Sequence, residues 1–252
     1  MFALTGTSAM LQRGARNYLD ATAGPYLKKA ASYVKGRDFP LDNLSWCNLS
    51  KTRYKIIKRM MDISFGISGT ACLIPIALTI IPLIQAMSWG PVFFSQQREG
   101  KDGNSFGLLK FRTMYKDVKP IDLKTQLEHL LSFKPDYDPR VIPTGRPIRK
   151  SGLDEWPQFG QILFGQMTMV GPRPKPEAEL NLPSLSLPAN WRKIRQLLAP
   201  GLIPIVLALK GDYASDQEHA ELETWYIANW SPFLDVKLIF RSALVLAAGR
   251  HK

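Results

Sequence analysis

A single long apolar segment dominates the hydrophobic pattern of this chain. Residues 63–97 contain no charged side chain, whereas residues 51–59 just before them carry five lysines and arginines. Uncharged apolar segments longer than about 18 residues are typical of membrane helices. Pro75 and Pro82 interrupt the segment, and a proline inside a helix removes a hydrogen bond and kinks the axis. The pattern leaves three alternatives: a buried core helix, a straight transmembrane helix, or a re-entrant hairpin.

The charges at the two ends of the segment favour the re-entrant hairpin. Lysine and arginine prefer the cytoplasmic side of a membrane. Here basic residues lie before the segment, and Arg98 and Lys101 lie after it. A straight crossing would place one of these basic clusters outside the cell. We therefore predict a re-entrant helix over residues 56–88, with Pro75 as the position of the break.

The remaining patterns predict a mainly helical α+β fold with a small β-hairpin, in a monotopic membrane protein. Residues 91–114 are typical of the hairpin, because two apolar runs flank a turn-rich stretch. Residues 117–133 predict an amphipathic helix. Residues 190–198 and 225–248 are typical of interfacial helices, although a basic surface helix of a soluble protein looks similar. Residues 1–50 show no period and are predicted to be a mobile or peripheral extension of a membrane-anchored domain, 51–252.

Composition narrows the class of partner. The chain has 252 residues, a net charge of +12 and a hydrophobic fraction of 45%, which is too low for a polytopic membrane protein. A basic balance indicates nucleic acid, phosphorylated substrates or an anionic membrane as partner. No nucleic-acid-binding motif is present, and the basic residues flank apolar segments, so we expect membrane lipid and no nucleic acid. The two cysteines offer no disulfide framework and no zinc motif.

Two adjacent carboxylates, Asp154 and Glu155, are the main candidates for chemistry. Ser151 lies three residues before Asp154, which fits a helix-capping pair, and acids in a first helical turn are favoured by the macrodipole. The other interpretation uses the neighbouring Arg149. One carboxylate would then be a nucleophile or metal ligand, and the other would position a proton or a metal. Spacing alone leaves both interpretations open.

Three further cations are candidates for phosphate binding. Arg173 lies between two prolines that limit its backbone freedom, and a guanidinium held in this way suits a phosphate group. Lys110 and Arg112 alternate with an aromatic residue, so a strand would place both on one face. The alternatives are a proline-rich turn with an exposed arginine and a solvated strand face.

Several motifs follow one another in a fixed order. They are Lys58-Arg59 with Asp62, Gly90-Pro91-Val92-Phe93-Phe94, Lys110-Phe111-Arg112-Thr113-Met114, Leu153-Asp154-Glu155, Pro157-Gln158, Gly165-Gln166-Met167, Val170-Gly171-Pro172-Arg173-Pro174, Pro200-Gly201 and Trp230-Ser231. The ordered set, across residues 54–245, resembles the bacterial sugar transferase family, the monotopic phosphoglycosyl transferases. Two departures are Ile74 where the family often has serine before the helix-breaking proline, and Leu202-Ile203 where it usually has Thr-Gly.

The resemblance implies an enzyme that transfers hexose 1-phosphate from a UDP-hexose to undecaprenyl phosphate and releases UMP. It implies that Asp154 is the nucleophile that forms a covalent phosphosugar intermediate, and that Glu155 is its partner. It further implies phosphate or substrate contacts by Arg149, Arg173, Lys110 and Arg112, and a Mg²⁺ ion close to Asp154. We expect such an enzyme in the bacterial inner membrane, on its cytoplasmic face, at the first membrane step of exopolysaccharide or other surface glycan synthesis. The alternative is a non-catalytic membrane-associated scaffold with the same fold.

Overall fold

The computed structural model describes residues 25–26, 28–35, 41, 44–116, 138–180, 190–210 and 216–247. Residues 25–26 and 28–34 are helical, and the helices after them are α1 Thr52–Met87, α2 Gly145–Lys150, α3 Gln158–Leu163, α4 Glu177–Leu180, α5 Trp191–Arg195, α6 Ile205–Lys210, α7 Asp216–Asn229 and α8 Pro232–Ala247. The strands are β1 Phe93–Glu99, β2 Ser105–Phe111, β3 Thr168–Gly171 and β4 Gly201–Pro204. Short 3-10 helices cover Leu44–Trp46, Asn48–Ser50, Lys101–Gly103 and Leu153–Glu155. The predicted mainly helical fold is confirmed, and β1 and β2 form the predicted hairpin.

The described residues fall into two compact units. The first unit holds those within 1–66, 97–107 and 161–252, and the second unit holds those within 67–96 and 108–160. The amphipathic helix predicted over residues 117–133 lies outside the described residues. The single helix predicted in the C-terminal region is instead two helices, α7 and α8, because Pro232 begins a new helix after the first one ends.

The core of the first unit forms where α6, α7 and α8 pack near a parallel pair of strands, β3 and β4. Its largest buried side chains include Trp230, Tyr226 and Ile205. The two strands approach each other so closely that a Cβ atom added to Gly201 would lie 2.1 Å from the backbone nitrogen of Gly171. Only glycine fits this position, which explains Gly201 at the start of β4.

A buried polar network fixes the beginning of α1 within the first unit. The Nζ atom of Lys58 donates to an Asp235 carboxylate oxygen at 2.8 Å, and the Tyr226 hydroxyl donates to the other oxygen at 2.6 Å. One turn further along α1, the carboxylate of Asp62 accepts hydrogen bonds from the Thr168 hydroxyl at 2.7 and 2.8 Å. Buried charges of this kind are tolerated only when paired and hydrogen-bonded. The network accounts for the charged residues that open the helix.

Two sequence predictions about the first unit need correction. Ala30, Cys47 and Leu49 belong to its buried core, so this part of the segment predicted to be a mobile or peripheral extension is packed into the unit and is not peripheral. The second correction concerns α5, which was predicted to lie at a membrane interface. Its apolar residues Trp191 and Ile194 are 3% and 1% exposed, because they pack into the protein core. An amphipathic pattern is the same whether lipid or protein covers the apolar face.

The core of the second unit forms around the later turns of α1. Ile80 and Ile84 pack with Phe111, Ile142 and Ile148. The chain after β2 is held by an isolated bridge between Met114 and Val141. This packing brings the end of β2 and helix α2 into one unit, which positions the candidate site.

Helix α1 continues through both prolines. It has 36 residues, so it is about 54 Å long at 1.5 Å per residue. Among the described residues it is the one helix long and apolar enough to cross a membrane, and 17% of its most apolar 18-residue stretch is buried within the protein. This low burial disfavours the buried-core alternative. The chain around Pro75 is helical, and the re-entrant course stays a prediction.

Candidate active site

The two adjacent carboxylates lie on a short 3-10 helix, Leu153–Glu155, directly after α2. Gly152 links the two helices with a φ of 71°, a left-handed conformation that glycine adopts at little cost. The hydroxyl of Ser151 donates to the carbonyls of Pro147 and Ile148 at 2.9 Å. No side chain caps the 3-10 helix. The capping interpretation is therefore wrong, whereas both acids do lie in the first turn of the 3-10 helix, where the helix dipole favours them.

Burial changes the acidity of Asp154. Its residue is 8% exposed, and burial raises the pKa of its carboxyl from 3.8 to about 6. The positive charge of Lys110 opposes this rise in pKa, the negative charge of Glu155 adds to it, and Arg149 opposes it. With a pKa of about 6 the carboxylate is still mostly ionised at neutral pH. An ionised carboxylate with incomplete solvation is a better nucleophile than one fully exposed to water.

Two cations lie beside the carboxylate pair. The Nζ atom of Lys110, on β2, lies 2.5 Å from Glu155 Oε1 in a partly exposed ion pair. Arg149, in the last turn of α2, donates from Nε to the Thr113 hydroxyl at 2.8 Å. This hydrogen bond restricts the orientation of an exposed guanidinium. The structure thus brings Asp154, Glu155, Lys110 and Arg149 together within one unit.

Arg112 has a different environment from Lys110. It is 7% exposed, and its guanidinium donates to the hydroxyl of Ser88 at 3.0 Å and to the Ser88 carbonyl. Ser88 directly follows α1, so Arg112 places positive charge at the C-terminal end of that helix, where the dipole favours it. The structure does not bring this guanidinium to the carboxylate pair. Its contact with substrate stays a prediction.

Arg173 belongs to the first unit. It follows β3, and its residue is exposed, whereas its backbone nitrogen donates to the buried carboxylate of Glu223 at 3.1 Å. Sequence analysis missed Glu223, and also Thr113, which orients Arg149. Thr113 lies inside the motif of residues 110–114 and could have been found there. Glu223 lies 50 residues from Arg173 and belongs to none of the motifs.

The carboxylate pair could hold a magnesium ion only with additional ligands. Within the described parts of the chain, no three His, Cys, Asp or Glu side chains are grouped in a way that could hold a metal ion. Mg²⁺ is commonly bound by one or two carboxylates together with substrate phosphates and waters. The donor set of Asp154 and Glu155 fits that arrangement. The magnesium ion stays a prediction.

Comparison with known proteins identifies the family. Residues 53–249 match the family model described as bacterial sugar transferase. The chain belongs to the bacterial sugar transferase family. The matched region contains the second unit and every candidate site residue, whereas the first unit also includes described residues before residue 53.

Two curated relatives of this chain carry names that describe transfer of a phosphosugar. A UDP-N-acetylgalactosamine-undecaprenyl-phosphate N-acetylgalactosaminephosphotransferase of Aeromonas hydrophila is 30% identical over 231 residues, 89% of this chain and 52% of the relative. An undecaprenyl-phosphate glucose phosphotransferase of Komagataeibacter xylinus is 31% identical over 189 residues, 73% of this chain and 34% of the relative. The chain thus spans about half or less of the length of these two relatives. The uncharacterized sugar transferase EpsL of Bacillus subtilis is 35% identical over 184 residues, 73% of this chain and 84% of the relative.

Proposed function

We propose that this protein transfers hexose 1-phosphate from a UDP-sugar to undecaprenyl phosphate and releases UMP, with Asp154 as the nucleophile. The observation that carries the proposal is the buried carboxylate of Asp154, with a pKa of about 6, beside Glu155 and two cations. The names of the Aeromonas and Komagataeibacter relatives support the class of substrate. Those two relatives act on different sugars, so the sugar of this protein is left open.

The proposed reaction has two displacement steps at one phosphorus atom. In the first step a carboxylate oxygen of Asp154 attacks the β-phosphorus of the UDP-sugar. The bond from that phosphorus to the bridging oxygen breaks, and UMP leaves with the oxygen and its electron pair. In the second step a phosphate oxygen of undecaprenyl phosphate attacks the same phosphorus. The Asp154 carboxylate is released, and the product is undecaprenyl diphosphate linked to the sugar.

Each neighbouring residue has a role that follows from its charge. Attack by a carboxylate on phosphorus requires neutralisation of phosphate charge more than it requires a base. Arg149, oriented by Thr113, would bind a phosphate oxygen of the donor. Lys110 holds Glu155 and places positive charge near Asp154, which favours the ionised nucleophile. A Mg²⁺ ion bound by Asp154, Glu155 and the diphosphate would supply the remaining neutralisation of charge.

A lipid acceptor requires a site at a membrane surface, which the exposed apolar residues support. In α1, Ile74 and Leu78 are 64% and 73% exposed. In α8, the exposed residues Phe233, Val236 and Phe240 recur at a helical spacing that forms one face. We place the protein at the cytoplasmic face of the bacterial inner membrane, with α1 turning back at Pro75. Cysteines introduced before residue 54 and after residue 100 would then be labelled from the same side, and labelling from opposite sides would contradict the re-entrant course.

The experiment that tests the function is a panel of UDP-sugars with undecaprenyl phosphate and Mg²⁺, scored by release of UMP. We expect one or a few sugars to support release by the wild-type protein. We expect Asp154→Asn to reduce the rate about a thousandfold or more, as loss of a nucleophile does. The matched control is Asp102→Asn, an exposed aspartate in the hairpin turn, which should leave the rate unchanged. Release by no sugar would favour the non-catalytic scaffold.

A further inference from the structure

The backbone of residues 172–174 is held at every hydrogen-bonding group. Prolines lack a backbone N–H, so this stretch has one N–H, that of Arg173, and three carbonyls. The Pro172 carbonyl accepts from the Gly201 nitrogen at 2.8 Å, and the Pro174 carbonyl accepts from an Arg98 guanidinium nitrogen at 3.3 Å. The Arg173 N–H and carbonyl are both bound by buried side chains. The backbone of residues 172–174 is therefore held firmly in place, while Arg173 itself is exposed.

The two side chains that bind the Arg173 backbone are themselves an ion pair. Glu223, on α7, accepts the Arg173 N–H at 3.1 Å, and Arg195, on α5, donates from Nη2 to the Arg173 carbonyl. The Arg195 Nε atom lies 3.5 Å from Glu223 Oε2. Glu223 and Arg195 are 1% and 4% exposed. One buried pair of charges thus binds both backbone groups of a single residue.

Trp191 fixes the orientation of this pair. Its indole Nε1 donates to Glu223 Oε2 at 3.1 Å, and the guanidinium carbon of Arg195 lies 4.9 Å from the centroid of its ring. Both charged groups are therefore held in one geometry. This position requires a planar side chain with several donors, because the guanidinium of Arg195 stacks on the Trp191 ring and donates to Arg173 at the same time. A lysine keeps the charge and loses that geometry.

We propose that Glu223 and Arg195 are positioning residues for Arg173 in substrate binding. The proposal rests on the proposed function and on the family resemblance, which implies that Arg173 contacts a phosphate or the substrate. A buried ion pair is a poor source of net stability compared with apolar residues of the same volume. Net stability therefore does not account for this buried pair, whereas a role in holding a substrate-binding arginine in place does. A displacement of about 1 Å of such a group can change a rate or affinity by up to about a hundredfold.

The test measures KM and kcat for the UDP-sugar in Arg195→Lys, Arg173→Ala and the double variant. We expect Arg195→Lys to raise KM about tenfold or more with a smaller change in kcat. In the Arg173→Ala background the same substitution should have almost no further effect on KM, because Arg195 acts through Arg173. If Arg195 had only a structural role, Arg195→Lys would lower thermal stability in both backgrounds, and the factors by which the two single substitutions raise KM would multiply in the double variant. Additive effects on log KM would therefore overturn the proposal.

Arg192→Lys is the matched control. Arg192 lies on the same helix, and its guanidinium pairs with Glu99 at 2.7 Å instead of with Arg173, so KM should be unchanged. Binding of UDP by titration calorimetry gives a second readout that does not depend on turnover. If Arg173→Ala alone changes neither KM nor UDP affinity, the proposed function of Arg173 fails. If Arg173→Ala weakens binding and Arg195→Lys does not, only the positioning role fails.

Discussion

Replacement of Asp154 by asparagine should stabilise the folded protein while it removes the nucleophile. Burial raises the pKa of Asp154 from 3.8 to about 6, so the native state keeps this proton to a higher pH than the unfolded chain. Stability of the wild-type protein therefore falls as the pH rises from about 4 to about 6 and is level above that window. Asparagine has a similar shape and cannot ionise. The variant lacks this loss of stability.

The size of the effect follows from the shift in pKa. A rise of about 2 units corresponds to about 3 kcal/mol, at about 1.4 kcal/mol per unit. We expect Asp154→Asn to increase the free energy of unfolding by up to about 3 kcal/mol at pH 8. At pH 4 the native and unfolded carboxyl groups are protonated to more similar extents, and the expected difference is below about 1 kcal/mol. Denaturation by urea in detergent micelles, followed by tryptophan fluorescence, measures both values.

Asp138→Asn is the control of opposite sign. The hydrogen bonds from Arg140, followed by its charge, hold the pKa of the Asp138 carboxyl below its usual value. Its stabilisation is present above the unfolded pKa and is lost as the pH falls, so the asparagine variant should be less stable than the wild type at pH 8. The reasoning about Asp154 is refuted if its asparagine variant is no more stable than the wild type at pH 8. A stability difference that is the same at pH 4 and pH 8 would also refute it.

Two further predictions follow from the second unit. The value of kcat/KM for UMP release, which reports on the free enzyme, should rise with pH through about 6, as Asp154 ionises. Lys110→Met should move this midpoint to higher pH, because the lysine charge lowers the pKa of Asp154; an unchanged midpoint would contradict that role. Gly69→Ala should lower the free energy of unfolding by about 1 to 3 kcal/mol, since a Cβ atom would lie 2.1 Å from Cδ1 of Phe159. Gly160→Ala, with no atom within 4 Å of its added Cβ, should be neutral or slightly stabilising, and equal destabilisation by both would exclude the packing argument.

The parts of the site that are close in sequence could be predicted from the sequence. The hairpin signal placed Lys110 near the end of a strand, and Asp154, Glu155 and Arg149 lie within seven residues of one another. Short spacing restricts where such groups can lie. The choice between a capping role and a chemical role could not be made, because it depended on where the Ser151 hydroxyl points.

The parts that depend on distant packing could not be predicted. Residues Trp191 and Ile194 form an apolar face that fits lipid and protein equally well, and only the tertiary structure shows that α7 covers the helix that carries them. Glu223 contacts Arg173 across 50 residues, and no local pattern links them. Arg112 looked equivalent to Lys110 on a strand. The strand ends at Phe111, which lets the arginine turn to the end of α1.

Detection of a covalent intermediate on Asp154 tests the central claim most directly. The protein would be mixed with its UDP-sugar and Mg²⁺ without undecaprenyl phosphate, digested and examined by mass spectrometry. We predict a hexose phosphate attached to the peptide that contains Asp154, removal of that group when undecaprenyl phosphate is added, and no such group in Asp154→Asn. Attachment to another residue, or turnover that requires both substrates together and leaves Asp154 unmodified, would contradict the account.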